Sequence, residues 1–124
     1  MLFYLFGFHI QIQHYLRNHR ILQNHFFQIH LSHFLHKHFE QYLYFNLEKN
    51  QEVRNIFEKT IDEEKILEEL ELYIGKKIDL EKTLLFFDEV QVSENFIVSL
   101  KYFNESEKPY KIVCAGSLLR SKNK

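Results

Sequence analysis

The sequence predicts an α/β fold: a partial parallel sheet of three strands joined by crossover helices, preceded by a histidine-rich segment that is helical or irregular. Three observations carry this expectation. Apolar runs at 42–47, 83–87 and 110–115 have strand length and lack helical spacing. The stretches between them do have helical spacing. The order strand, helices, strand, helix, strand implies parallel pairing through right-handed crossovers. Finally, the composition changes abruptly at Glu40, because all 17 acidic residues lie from there onward and all eight histidines lie before it.

The first run, Tyr42-Leu43-Tyr44-Phe45-Asn46-Leu47, is aromatic and apolar. Residues 51–74 then repeat apolar positions at helical intervals, first Val53, Ile56 and Phe57, then Ile66, Leu67, Leu70 and Ile74. Asp62-Glu63-Glu64 puts acids in the first turn of the second stretch, where the helix dipole favours them, with Thr60 or Asp62 as its N-cap. Gly75 fits the C-terminal stop. The glutamates along this helix read as a solvated face with lysine neighbours. Residues 83–87 form a continuous apolar run, as expected of a strand covered on both faces. Ser93 caps a helix that turns Phe96, Ile97, Leu100 and Phe103 inward, and Pro109 ends the connection before the last strand.

The chain of 124 residues divides at Glu40 into a segment 1–39 and a domain 40–124. The domain has a net charge of −4. The segment has Arg17, Arg20 and Lys37 as its fixed charges and holds seven of the 13 phenylalanines. Three readings of it compete. His30, His33, His36 and His38 have spacing that places imidazoles on one side of a helix, a donor set suited to zinc, copper or nickel. Ile12, Leu16, Leu22, Phe26 and Ile29 make an approximate apolar stripe, and no Gly or Pro interrupts the chain between Gly7 and Gly75. The loss of every acid together with the His, Phe, Leu and Gln excess favours a third reading, that residues 1–39 are translated out of frame.

The apolar start at Met1 lacks a basic n-region and is too short to cross a bilayer, so a cytoplasmic, membrane-free protein is expected. Cys114 is the one cysteine, which excludes an intramolecular disulfide and a thiolate metal cluster. Basic residues are scattered and form no nucleic-acid stripe.

The chemistry concentrates where two strands end. Leu84-Leu85-Phe86-Phe87 runs straight into Asp88-Glu89, and the last strand ends in Gly116-Ser117. Ligands of parallel sheets bind outside the carboxyl ends of the strands. Asp88 offers the hard carboxylate oxygen that magnesium prefers. Glu89 can polarise a water attacking a γ-phosphate, and Ser117 can position that phosphate. Two acids after an apolar strand can simply mark where the chain meets water, but with a second strand ending in Gly-Ser one crossover later the pattern is that expected of the back half of a P-loop nucleotide site. The front half, Gly-x-x-x-x-Gly-Lys-[Ser/Thr], occurs nowhere in the 124 residues.

The strings YLYFNLEKN, EVRNIFE, ILEELELYIGKKIDLEKTLLFFDEVQ, SLKYFNE and YKIVCAGSLL extend the match well beyond two acids after a strand. Over residues 40–119 the chain closely resembles prokaryotic AAA-type ATPases that join an AAA domain to a C-terminal domain of unknown function. The resemblance implies that residues 84–89 are a Walker B strand, with Asp88 the magnesium-side acid, Glu89 the catalytic base and Ser117 at the sensor position. It implies Mg²⁺ and ATP as cofactor and ligand of the parent family. It also implies a first strand and phosphate loop some twenty to thirty residues before Tyr42, and further elements beyond Lys124, none of which is present.

The expectation is therefore a truncated piece of an AAA-type ATPase. It keeps the acid-bearing strands, binds neither Mg²⁺ nor ATP tightly, and is inactive because backbone amides and a lysine no longer neutralise the phosphates. In the usual strand order of the class, the strand ending at Ser117 would expose an unpaired edge where the missing first strand belongs. Nothing in 1–39 specifies a replacement strand, and such an edge invites misassembly. The alternative from another class is a non-catalytic module that binds metal or a protein partner through the histidine-rich helix. Pairing of the exposed strand with an intact homologue is a third possibility.

Overall fold

The computed structural model describes residues 2–6 and 41–116. In chain order these form β1 (Leu2–Phe6), β2 (Gln41–Asn46), α1 (Gln51–Lys59), α2 (Glu63–Ile74), β3 (Thr83–Asp88), a 3₁₀ turn (Val90–Val92), α3 (Glu94–Glu105) and β4 (Ile112–Gly116).

The strands make one sheet in the order β1-β4-β3-β2. β2, β3 and β4 are mutually parallel, as the alternation of strand and helix predicts. Tyr44 lies opposite Phe86, Asn46 opposite Asp88, and Phe87 opposite Cys114. The expected open edge is not there. Leu2–Phe6 pairs antiparallel along β4, with Leu2 opposite Gly116 and Phe6 opposite Ile112. The first residues contain three aromatics and two leucines, a composition that suits an extended strand. An antiparallel strand can satisfy the backbone groups of an edge without any crossover. The expectation that nothing in residues 1–39 specifies a replacement strand is thus corrected.

The helix boundaries follow local chemistry. Asn50 caps α1, its side chain accepting from the Val53 N–H at 3.1 Å. Between the two stretches Thr60 ends α1 and its hydroxyl accepts from the Asp62 N–H, while Asp62 caps α2 by accepting from the Lys65 N–H. Gly75 closes α2 in the left-handed region (φ 82°), returning its N–H to the Glu71 carbonyl. Ser93, buried, caps α3 through a 3.1 Å bond from the Phe96 N–H.

Val53, Ile56 and Phe57 of α1, Ile66, Leu67 and Leu70 of α2, and Phe96, Leu100 and Phe103 of α3 form one core with Phe45, Leu85, Phe87, Ile112 and Cys114 of the sheet. All three helices thus pack on one face of the sheet. Burying this apolar surface is the main stabilising term. Phe87 is its centre, stacked on Phe45 at 5.3 Å and touched by Phe57 at 5.7 Å and Phe96 at 5.0 Å. The residues that alternate with these, Tyr42, Tyr44, Leu84, Phe86 and Asp88, lie on the other face. No helix of the described residues is long and apolar enough to cross a membrane. The histidine readings, the division at Glu40 and Ser117 all lie outside the described residues.

Candidate functional site

The carboxyl end of β3 is anchored from both sides of the sheet. Phe87 is locked into the helix-side core. Phe86, one residue earlier, packs its ring edge to Tyr44 at 5.2 Å and Tyr42 at 6.2 Å on the other side. A strand held this way delivers its next side chain to a fixed position.

That side chain is Asp88, 2 % exposed. A charge so buried must be hydrogen-bonded. The Tyr44 hydroxyl donates to Oδ2 at 2.6 Å, and the Glu89 backbone N–H donates to Oδ1 at 2.8 Å. Tyr44 reaches it because parallel register sets Tyr44 beside Phe86, and Phe86 and Asp88 share a face. Burial first, then the hydrogen bond to Asp88 and its charge, raise the ionisation of the Tyr44 phenol. Tyr42 is pushed up to about 12 by burial and then by the Asp88 charge. Both phenols therefore stay protonated at neutral pH, and Tyr44 acts as a donor to Asp88, not as a competing anion.

Glu89 leaves the strand with φ 54° and ψ 45°, the left-handed region. Among the described residues no other non-glycine has positive φ. For an L-residue this conformation costs about 1–2 kcal/mol, and such residues concentrate at functional sites. It turns the chain into the 3₁₀ turn, where Gln91 Nε2 donates to Glu89 Oε1 at 2.8 Å. Gly116, the last residue of β4, lies against this turn. The sequence-predicted Asp88 and Glu89 are thus brought to one sheet edge, beside the end of the strand that leads to Ser117.

The donor set fits a hard cation sparingly. Among the described residues no group of three or more His, Cys, Asp and Glu stands together. An ion at Asp88 would draw its remaining oxygens from water and phosphate. Magnesium is usually held in that way, by one or two carboxylates plus substrate.

Two residues escaped sequence reading. Tyr44 was legible only as a strand aromatic, because its link to Asp88 needs the β2–β3 register. Gln91 stands two residues after Glu89, and its bond to that carboxylate depends on the unusual backbone of Glu89. A family model described as an AAA domain matches residues 26–124, starting inside the histidine-rich segment. No curated protein and no solved structure matches the chain.

Proposed function

This chain belongs to the AAA domain family, and on that premise we propose that the carboxyl edge of β3 and β4 is the metal and water-activating half of an Mg²⁺-dependent ATP-hydrolysing site. The observation that carries the reading is the placement of Asp88. It is a buried, doubly hydrogen-bonded carboxylate at the end of a central parallel strand, followed at once by an acid in a strained backbone conformation. Asp88 is the metal-side acid. Glu89 orients and polarises the attacking water, and Ser117, the next residue in sequence after Gly116, is the sensor residue. Bound magnesium would supply charge neutralisation between the β- and γ-phosphates.

The 124 residues hold no Gly-x-x-x-x-Gly-Lys-[Ser/Thr]. Positioning and electrostatics supply nearly all phosphoryl-transfer catalysis. Without a phosphate cradle and its lysine, Asp88 and Glu89 repel a triphosphate more than they hold it. The chain is accordingly a fragment of an ATPase and inactive by itself. The separate vocabulary of residues 1–39 supports a foreign or out-of-frame leader to the domain at 40–124, while the family match from residue 26 and the pairing of Leu2–Phe6 with β4 weigh against it.

Manganese titration of the full chain followed by NMR tests the reading. Mn²⁺ should broaden the backbone amides of residues 88–91 and 116, with an affinity of about 10⁻⁴–10⁻³ M, the range of weak oxygen-ligand sites. Asp88→Asn should abolish the broadening. ATP turnover with Mg²⁺ should not exceed that of Glu89→Gln. Broadening confined to the histidines, unchanged in Asp88→Asn, would overturn the site and favour a metal-binding module built on the histidine-rich segment. Turnover that disappears in Glu89→Gln would overturn the inactivity.

A further inference from the structure

The turn after β3 contains a contact that the assignment of Asp88 and Glu89 leaves unused. Gln91 makes two distinct contacts with its side-chain amide. Its Nε2 donates to Oε1 of Glu89 at 2.8 Å. Its Oε1 fills the space that a Cβ on Gly116 would occupy, and such a Cβ would collide with it. The same Cβ would lie 3.0 Å from the Val90 nitrogen and 3.2 Å from the Gln91 nitrogen. The end of β4 thus approaches the 3₁₀ turn closely enough that only a glycine leaves room for the glutamine amide.

We propose that Gln91 is the positioning residue for Glu89, a latch whose own seat is Gly116. A glutamate side chain that is only partly buried samples several rotamers. A charge-assisted bond from an amide to its carboxylate selects one of them. Gln91 can make that bond because its amide oxygen rests against the β4 backbone. The candidate base and the strand end leading to Ser117 are therefore coupled through one side chain, and displacement of that strand end is relayed to the Glu89 carboxylate. The catalytic meaning of the latch rests on the reading of Glu89 given above. The contact itself does not.

Gly116→Ala is the informative variant. The nearest atom is the far end of a flexible side chain, which can swing aside, and the Val90 and Gln91 backbone nitrogens need give only slightly, so the substitution should open the latch and keep the strands paired. The experiment is NMR of the full chain at neutral pH without metal or nucleotide. It reads the Gln91 side-chain amide protons and the Glu89 carboxyl carbon in wild type, Gln91→Ala, Gly116→Ala and the double variant.

Gly116→Ala should move the Gln91 amide pair to free-glutamine positions. It should also shift the Glu89 carboxyl carbon to where Gln91→Ala puts it, and the double variant should shift it no further. A side chain that merely stabilised the turn would lower the urea midpoint without this non-additive response at Glu89. A Glu89 carboxyl carbon unmoved by Gln91→Ala overturns the proposal, and that variant decides alone if Gly116→Ala fails to fold. A shift in Gln91→Ala with none in a folded Gly116→Ala overturns the coupling to β4. Because no metal is present, failure of Mn²⁺ to bind at Asp88 would sink the ATPase reading and leave this result standing.

Discussion

The Tyr44 hydroxyl donates a 2.6 Å hydrogen bond to Oδ2 of Asp88, the carboxylate we propose to hold the metal. Hydrogen bonds to charged groups add about 1.5–3 kcal/mol to stability. Tyr44 is 44 % exposed, so water competes and the contribution falls below that range, to the value of an ordinary hydrogen bond. Tyr44→Phe should cost about 1 kcal/mol in urea denaturation. The same substitution should tighten Mn²⁺ binding about fivefold, the ratio that corresponds to 1 kcal/mol, because the ion no longer displaces a phenol. Lower stability with unchanged Mn²⁺ affinity would show that phenol and metal do not compete.

Much of this arrangement was legible because it rests on local signals. Ser93, Asp62 and Gly75 announce helix ends through their own backbone preferences, and each occupies the position its chemistry predicts. The run Leu84-Leu85-Phe86-Phe87 reads as a doubly covered strand because every residue in it is apolar, and each is buried. The antiparallel pairing of Leu2–Phe6 with β4 was not legible, since strand partners distant in sequence leave no local mark. Tyr44 was hidden for the same reason, and Gln91 for a local one. One depends on register across two strands and the other on a positive φ at a glutamate.

Ser93 tests how far local capping carries the site. Its hydroxyl is buried and accepts from the Phe96 N–H, fixing the start of α3 directly after the 3₁₀ turn. Ser93→Ala should cost about 1 kcal/mol, and Ser93→Gly only a few tenths on the order found for cap glycines. Equal losses in urea denaturation would mean that packing, not the cap, sets the helix start.

Phe87 joins the core to the chemistry, being both the ring touched by Phe45, Phe57 and Phe96 and the residue before Asp88. Phe87→Ala should cost about 3–5 kcal/mol. That is a large share of the roughly 5–15 kcal/mol that stabilises a typical domain. Amide dispersion and Mn²⁺ broadening at residues 88–91 should be lost together. Val98→Ala, on the exposed side of α3, should stay within about 0.5 kcal/mol of wild type. Mn²⁺ broadening that survived Phe87→Ala would separate the site from the core beneath it.

Alkaline pH gives a test whose sign is fixed by the buried phenols. Tyr110 is 4 % exposed and donates to the Glu63 carbonyl at 3.3 Å. Burial, then the charges of Glu63, Glu64, Asp62 and Glu71, raise its ionisation above the ordinary value of 10.0. Tyr42 is pushed up to about 12 by burial and then by Asp88. In each case the folded chain keeps a proton that the unfolded chain releases first. This stabilising contribution is therefore complete below about pH 10, the unfolded value. It is lost as pH rises, for Tyr42 through about 12. The urea midpoint should be level below about pH 9.5 and fall above about pH 10. Tyr110→Phe lacks one titrating phenol, so its midpoint should fall less steeply over the same interval. Identical slopes in the two proteins would remove Tyr110 from the alkaline transition.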